Sequence, residues 1–308
     1  MSSEADTDQP PLLSISAVER DTGLTKDTLR VWERRYSYPL PERDGNGERG
    51  YTRAQVEKLR ALKRLIDRGH RPGKIIGQSM GELIRLIEQV PAAPEAPADP
   101  AQDGLVELIR THRAAELRRE LGQALMRQGL AHFLVATVGP LTRAVGESWM
   151  RGGLEVFEEH LFTETLQGVL RGAIATLPQR GRRPRVLLTT FPNELHGLGL
   201  LMAEGMLALE GASCLALGTH TPIYDIVAAA ASERADVVAL SFSLSYPVNV
   251  ATAGLEELRT KLPRGVEIWA GGTNPGLVRR AVAGVAALPE LADIPPAVAR
   301  WRAAHAPG

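Results

Sequence analysis

Residues 185–284 alternate between short apolar runs and amphipathic stretches, and this alternation leaves few folds open. The apolar runs are Val186–Thr190, Ser213–Leu217, Asp236–Ser243 and Val266–Ala270. Leu198–Glu210, Ile223–Arg234, Val248–Leu262 and Asn274–Val285 read as helices. Strands separated by helices pair in parallel, and a parallel sheet needs helices on both faces. The loop after the first strand carries Glu194-Leu195-His196-Gly197-Leu198-Gly199. In an open α/β sheet such a loop lies at the carboxyl edge, where ligands bind. An imidazole there can ligate a metal, and the acid two residues earlier can hold the proton on its other nitrogen. On these residues alone, a solvated loop histidine is an equal reading.

The acid-x-His-x-x-Gly order of Glu194, His196 and Gly199 resembles the lower-ligand motif of cobalamin-binding domains. The resemblance implies a Rossmann-like parallel α/β domain. It also implies that His196 takes the lower axial position on cobalt and that the loop accepts the nucleotide tail. Ser241-Phe242-Ser243-Leu244-Ser245 ends the third strand, where that family carries Ser-x-Leu. Leu244 falls one residue late, so Ser241 and Ser243 are both candidates to meet the tail. Gly271-Gly272 ends the fourth strand, where the family has a Gly-Gly that lets ring and tail approach the backbone closely.

Upstream, Trp149 is followed ten residues later by Glu159 and then His160. The spacing resembles the Trp-x9-Glu-His signature of the helical cap in light-sensing, adenosylcobalamin-dependent repressors of the CarH/LitR type. The resemblance implies that a bundle covers the upper face of the corrin. An indole can pack on the adenine base, and a carboxylate can accept from ribose hydroxyls. Read without the resemblance, a Trp and a Glu-His pair are core and helix surface. The chain departs from the family at Met150, where well-known relatives carry a cobalt-ligating histidine. Cobalt(III) prefers nitrogen to a thioether, so Met150 is not expected to serve as a tight ligand.

The amino-terminal part reads as helix, Gly-containing turn, helix. Ser16-Ala17-Val18-Glu19 has the spacing of a capping box, Asp21-Thr22-Gly23-Leu24-Thr25 is a turn, and Thr25 can cap a helix from Lys26 to about Tyr36. The second helix carries Lys26, Thr28, Arg30, Arg34 and Arg35, which can reach phosphates and guanine edges in a major groove. A wing-like segment, Pro39–Tyr51, adds Arg43, Asn46, Gly47, Arg49 and Tyr51. Thr52-Arg53-Ala54-Gln55 is a second capping box, opening a helix to about Arg68 that Gly69 stops. The Thr28-Leu29-Arg30-x-Trp32-Glu33-Arg34-Arg35-Tyr36 run and the Arg49-x-Tyr51 wing end resemble a MerR-family winged helix-turn-helix. That resemblance implies a double-stranded DNA operator as partner.

Charge agrees. The 308 residues hold 36 basic and 36 acidic side chains, which argues against indiscriminate binding to nucleic acid or membranes. Residues 11–90 hold 16 Lys/Arg against 11 Asp/Glu, an excess of five concentrated on one helix and its wing. A single cysteine, Cys214, excludes a disulfide framework and fits a cytoplasmic protein. No signal peptide and no run of about eighteen apolar residues is present, so no membrane span is expected.

The expected organisation is multidomain, α and α/β. Residues 11–90 form the winged helix-turn-helix and 91–103 an Ala/Pro-rich linker. Residues 104–180 form a four-helix bundle, 183–290 the Rossmann-like cobalamin-binding domain and 291–308 a tail with a short helix near Val298–Trp301. Leu105, Leu108 and Ile109, then Leu130, Phe133, Leu134, Val138, Leu141 and Val145, recur at helical spacing. The expected function is that of a regulator, a repressor, with adenosylcobalamin between bundle and sheet and no catalysis of its own. It is expected to assemble as a homo-oligomer, dimer or tetramer, whose state light changes to release DNA. Three alternatives stand beside it. One is a sensor of cobalamin form or level. Another is a corrinoid subunit of a methyltransferase system, which would have no use for the Arg30–Tyr36 helix. The last is a regulator controlled by a protein partner without corrinoid.

Overall fold

The computed structural model describes residues 12–43, 47–67, 70–88, 100–150, 153–178, 181–244, 246–274 and 276–306. Asn46 of the wing, Gly69, residues 91–99 of the expected linker, Ser245 and the Met150 side chain lie outside that description. The chain divides into two compact units, Met1–Ala92 and Ala93–Gly308.

The first unit holds helices α1 (Ile15–Thr22), α2 (Lys26–Tyr36), α3 (Arg53–Asp67), α4 (Pro72–Ile75) and α5 (Met80–Glu88). Short strands β1 (Leu13–Ser14), β2 (Glu42–Arg43) and β3 (Arg49–Tyr51) form an antiparallel sheet in the order β1-β3-β2. The cap of α1 corrects the expected Ser16–Glu19 box. Ser14 is the N-cap and accepts from Ala17 N at 3.2 Å, because its pairing with Gly50 starts the helix two residues earlier. Glu19 instead accepts from Lys26 N at 3.0 Å, tying the end of α1 to the start of α2. Gly23 closes α1 at φ +69°, and Thr25 caps α2 by accepting from Thr28 N at 3.1 Å. The second box is half made. Thr52 accepts from Gln55 N, but the Gln55 side chain donates to Leu40 O at 2.7 Å, across the wing. Val18, Leu29, Trp32, Tyr51, Leu62 and Leu83 fill the core of this unit.

The second unit begins with a four-helix bundle. Its helices are α6 (Pro100–Arg110), α7 (Ala114–Gln128), a third formed from α8 (Leu130–His132) and α9 (Gly139–Met150) joined through a π-helical turn (Phe133–Val138), and α10 (Val156–Ala175). Pro140 accounts for the turn. It has no N–H for the carbonyl of Ala136, and its ring would crowd that carbonyl in a regular α-helix. Gly139 N bonds back to Leu134 O, one residue further than α-helical spacing.

Five parallel strands follow: β4 (Arg182–Thr189), β5 (Ala212–Gly218), β6 (Val237–Ser241), β7 (Glu267–Gly271) and β8 (Val285–Leu288), in the order β5-β4-β6-β7-β8. Between and after them lie α11 (Leu198–Leu209), α12 (Ile223–Ser232), α13 (Val248–Lys261), α14 (Gly276–Arg279) and α15 (Ile294–Ala304). The expected helix over Asn274–Val285 is corrected to the single turn α14 and the fifth strand β8. Gly284, at φ +77°, turns the chain into that strand. The period of two divides the strands between two cores. Val186, Leu188, Val237, Ala239 and Trp269 face α11 and α15, while Leu187, Val238, Leu240 and Ile268 face α12 and α13.

Bundle and sheet are one body rather than two. A single apolar cluster runs from Ile109, Leu121 and Phe162 of the bundle through Val186 and Trp269 to Val298 and Trp301. Gly205 of α11 lies at this contact, where a Cβ would come within 3.0 Å of Leu134 Cδ1. The last segment is likewise not a tail. The buried Ile294, Ala297, Val298 and Trp301 dock α15 on the sheet, and Arg302 donates to Glu210 O at 2.8 Å and Arg183 O at 3.0 Å. Cys214 is half-buried, and burial together with nearby Glu204 pushes its thiol up to about 12, so it is an inert packing residue. No described helix is long and apolar enough to cross a membrane.

Asp236 fastens the amino ends of the strands. It accepts from Arg185 N at 2.7 Å and Arg183 Nε at 3.0 Å. Burial raises its pKa, but the bonds from Arg183 and Arg185 more than reverse this and hold it below the ordinary carboxylate range. The stabilisation is therefore complete above the unfolded carboxyl pKa and is lost as pH falls through the lower folded value. Asp236→Asn is expected to cost about 1–3 kcal/mol at neutral pH and to flatten the acid limb of a melting-temperature profile. An unchanged acid limb would remove Asp236 from this role.

Candidate functional site

The order β5-β4-β6-β7-β8 reverses direction between β4 and β6, and ligands of open α/β sheets bind at such a switch point, outside the carboxyl ends. The loops that leave β4 and β6 here are those of His196 and of Ser243.

Glu194 organises them. It is 1% exposed, and each carboxylate oxygen takes two hydrogen bonds. Oε1 lies 2.7 Å from His196 Nδ1 and accepts from His196 N at 3.0 Å. Oε2 accepts from Ser243 N at 2.8 Å and Ser243 Oγ at 2.7 Å. Burial alone would raise its pKa, yet the donors from His196 and Ser243 hold it lowered, so the group is an anion. Accepting from Nδ1 fixes the tautomer, and metal coordination by His196 falls to Nε2. The imidazole is 67% exposed, and Leu195 and Leu244, next in sequence to His196 and Ser243, expose apolar surface at 70% and 55%. An imidazole oriented by a buried anion, with exposed leucines on the same two loops, suits a metal set in a broad apolar ring.

The structure divides the two candidate serines. Ser243 is committed to Glu194, whereas Ser241 ends β6 with its hydroxyl where a Cβ on Gly199 would be, 2.6 Å away. Gly199 is thus required by the close seat of α11 on Ser241. Gly271 and Gly272 are required by close neighbours as well. A Cβ on Gly272, at φ +109°, would lie 2.2 Å from Phe242 O, and one on Gly271 would lie 2.7 Å from Leu288 O. The close approach they permit is to the neighbouring strand ends.

On the bundle, Trp149 lies near the end of α9, half-buried against the core. Glu159 and His160 lie in the first turns of α10. Glu159 accepts from Thr163 Oγ1 at 2.7 Å, and His160 Nε2 lies 3.7 Å from Glu159. Two neighbours were not evident from the sequence. Glu158 completes a capping box with Glu155, and His112, from the α6–α7 corner, lies 2.9 Å from Glu158. The Glu-x-x-Glu spacing gave a signal for the box, but nothing local pointed to His112.

In the first unit α2 turns Leu29 and Trp32 inward, leaving Arg30, Val31, Arg34 and Arg35 exposed. Arg30 donates to Asp27 at 3.2 Å, and Arg35 stands over the Tyr36 ring. Lys26 lies 3.7 Å from Glu19, and Thr28 shares a hydrogen bond with the Thr25 hydroxyl, so both belong partly to the cap of α2. Arg43 is exposed in the wing and donates to Gly47 O. Two expectations need correction. Tyr51 is fully buried, packed with Leu29 and Trp32 rather than placed on the outer face. Arg49 is half-buried and donates from Nε to Glu33 of α2 at 2.8 Å, so it braces the wing against the helix.

Models of three families match the chain: MerR HTH family regulatory protein over residues 13–77, and two B12 binding domain families over 101–171 and 184–294. The chain belongs to the family of MerR-type transcriptional repressors that carry B12-binding domains. It is 32% identical over 267 residues to the HTH-type transcriptional repressor CarH of Myxococcus xanthus, covering 81% of this chain and 85% of that protein. It is 31% identical to the repressor CarA of the same organism, covering 75% and 76%. In fold the chain is similar to the Methanosarcina barkeri monomethylamine corrinoid protein, at a TM-score of 0.52 and 16% identity, covering 65% of this chain and 98% of that one. B12-binding domains indicate a corrinoid cofactor, and a MerR helix-turn-helix indicates DNA.

Proposed function

We propose that this regulator is a repressor that senses light through adenosylcobalamin held between the bundle and the carboxyl edge of the sheet. The observation that carries the reading is the Glu194 carboxylate, buried and shared between His196 and Ser243 at the switch point. His196 would hold the lower face of cobalt through Nε2. Ser241, Ser243, Gly199, Gly271 and Gly272 would shape the seat of the nucleotide tail, and Trp149, Glu159 and His160 would cover the upper group. The bound cofactor supplies a cobalt–carbon bond that light breaks. The bundle would bias a homo-oligomer, dimer or tetramer, by fitting the intact upper group better than the cleaved one. Arg30, Arg34, Arg35, Lys26, Thr28 and Arg43 would contact a double-stranded operator, with Arg49 acting from behind.

The test is a visible spectrum, a sedimentation profile and operator binding of protein loaded with adenosylcobalamin in the dark, each repeated after green light. A corrin spectrum that changes with light, together with a change of assembly and loss of DNA, is the expected result. DNA binding indifferent to light would overturn it. Met150 favours a second reading, since the resemblance implies a cobalt-ligating histidine at the position it occupies. In that case exchanging adenosylcobalamin for another cobalamin form in the dark releases DNA as fully as light does.

For the DNA contact, Arg30→Ala is expected to cost about 1–3 kcal/mol and to relax preference at one base pair if it reads a base. If it meets a phosphate, the salt slope falls by about one instead. Arg34→Ala and Arg35→Ala are expected to behave in one of these two ways. Unchanged affinity and salt slope in all three would remove α2 from the groove.

A further inference from the structure

The loop that carries Glu194 and His196 is held by a histidine from the adjacent loop. His220 lies between β5 and α12, in the left-handed region at φ +63°. Opposite it stands Asn193, also left-handed at φ +67°. Non-glycine residues adopt that region at a cost and persist there where their surroundings hold them. Here the holding contacts are specific. Asn193 N donates to His220 Nδ1 at 2.6 Å. His220 N donates to Thr190 Oγ1 at 2.8 Å, and Thr190 Oγ1 in turn donates to Glu194 O at 2.6 Å. Thr221 N donates to Thr190 O at 3.0 Å, and the Thr189 and Thr221 hydroxyls meet at 2.7 Å. Thr190 is fully buried, so this chain of bonds runs from the His220 turn into the sheet edge and ends on the main chain of Glu194.

We infer that His220 is a positioning residue for corrinoid binding. By accepting from Asn193 N it fixes the strained turn that aims Glu194, and through Glu194 the imidazole of His196. This deepens the corrinoid reading proposed above and rests on it. An acceptor is what the geometry needs, and an imidazole supplies it when its proton is on Nε2. Without the acceptor, the turn at Asn193 relaxes in the free protein. It must then be rebuilt when the cofactor binds, and the cost appears as lost affinity.

Two substitutions separate this role from simple folding. Gly tolerates φ +63° without strain and has no acceptor. Asn also tolerates the left-handed region, and its Oδ1 can stand where Nδ1 stood. The measurement is cobalamin affinity of the full chain by absorption titration. It is paired with electron paramagnetic resonance of the reduced cobalt form, which reads a protein nitrogen on the metal, and with the melting temperature of the cofactor-free protein. His220→Gly is expected to bind about tenfold more weakly, the worth of about one hydrogen bond, and to show a reduced share of nitrogen-ligated cobalt. His220→Asn is expected to bind within about twofold of the parent, with the nitrogen signal restored. Parent-like affinity in His220→Gly, or equal loss in both variants, would overturn the inference. If the parent protein itself shows no protein nitrogen on cobalt, the corrinoid reading fails instead.

Discussion

His196→Ala protein should retain its fold and lose tight corrinoid binding. The side chain is exposed and stands in a loop, so its removal leaves no cavity in the core. What it removes is the nitrogen that Glu194 orients. Partners that only orient a metal ligand are worth about 10–100-fold in affinity, and the ligand itself is worth at least that. Glu194→Gln provides the finer measurement. The carboxylate accepts on both oxygens, and an amide must turn a donor either toward the His196 pair or toward Ser243 N and Oγ. Affinity is expected to fall by about 10–100-fold, with His196 still present. Any cobalamin that remains bound to His196→Ala should keep its own base. Electron paramagnetic resonance showing a protein nitrogen on cobalt in that variant would mean that another residue is the ligand.

Ending the chain after Glu290, or exchanging Trp301 for alanine, is the second large effect expected. Trp301 is 3% exposed, sits in the cluster shared by bundle and sheet, and stacks on His305 at 4.2 Å. Truncating a buried tryptophan costs about 3–5 kcal/mol, a large share of the total stability of about 5–15 kcal/mol expected for a domain. A denaturant melt of the Trp301→Ala protein should show the second unit opening early and the first unit unmoved. Trp301→Phe is a sharper variant. The indole Nε1 is buried without a hydrogen-bond partner among the described residues, so losing it removes a penalty as well as some contact, and the net cost should fall below about 1.5 kcal/mol. A Trp301→Ala midpoint equal to the parent's would return the segment to the status of a tail.

The legible parts of this molecule are those written in local spacing. Thr25 before Lys26, Gly23 after Thr22, and alternation of apolar runs with helices are short-range signals, and the structure follows them. The Glu194-x-His196 hydrogen bond spans two residues and was expected on those grounds. What was missed depends on pairings far apart in the chain. Arg49 meets Glu33 across 16 residues, Asn193 meets His220 across 27 and Glu194 meets Ser243 across 49. Strand β8 has only Val285-Ala286-Ala287-Leu288, too few side chains for a period of two to stand out from the preceding helix-like run. Tyr51 has the look of a wing-tip contact in sequence, but its pairing with Leu13 turns the ring into the core.

The π-helical turn at Phe133–Val138 sets the rotational phase of everything after it on that helix. One extra residue in a helical turn carries later side chains around the axis by about 100°, the angle of a single α-helical step. The azimuth of Trp149 is therefore decided upstream, by a turn that ends eleven residues before it and a proline nine residues before it. Deleting one residue from the turn and replacing Pro140 would give a more regular helix that points its tryptophan somewhere else. In this protein the irregularity acts as a gear tooth, indexing one side chain to a position that regular winding would miss.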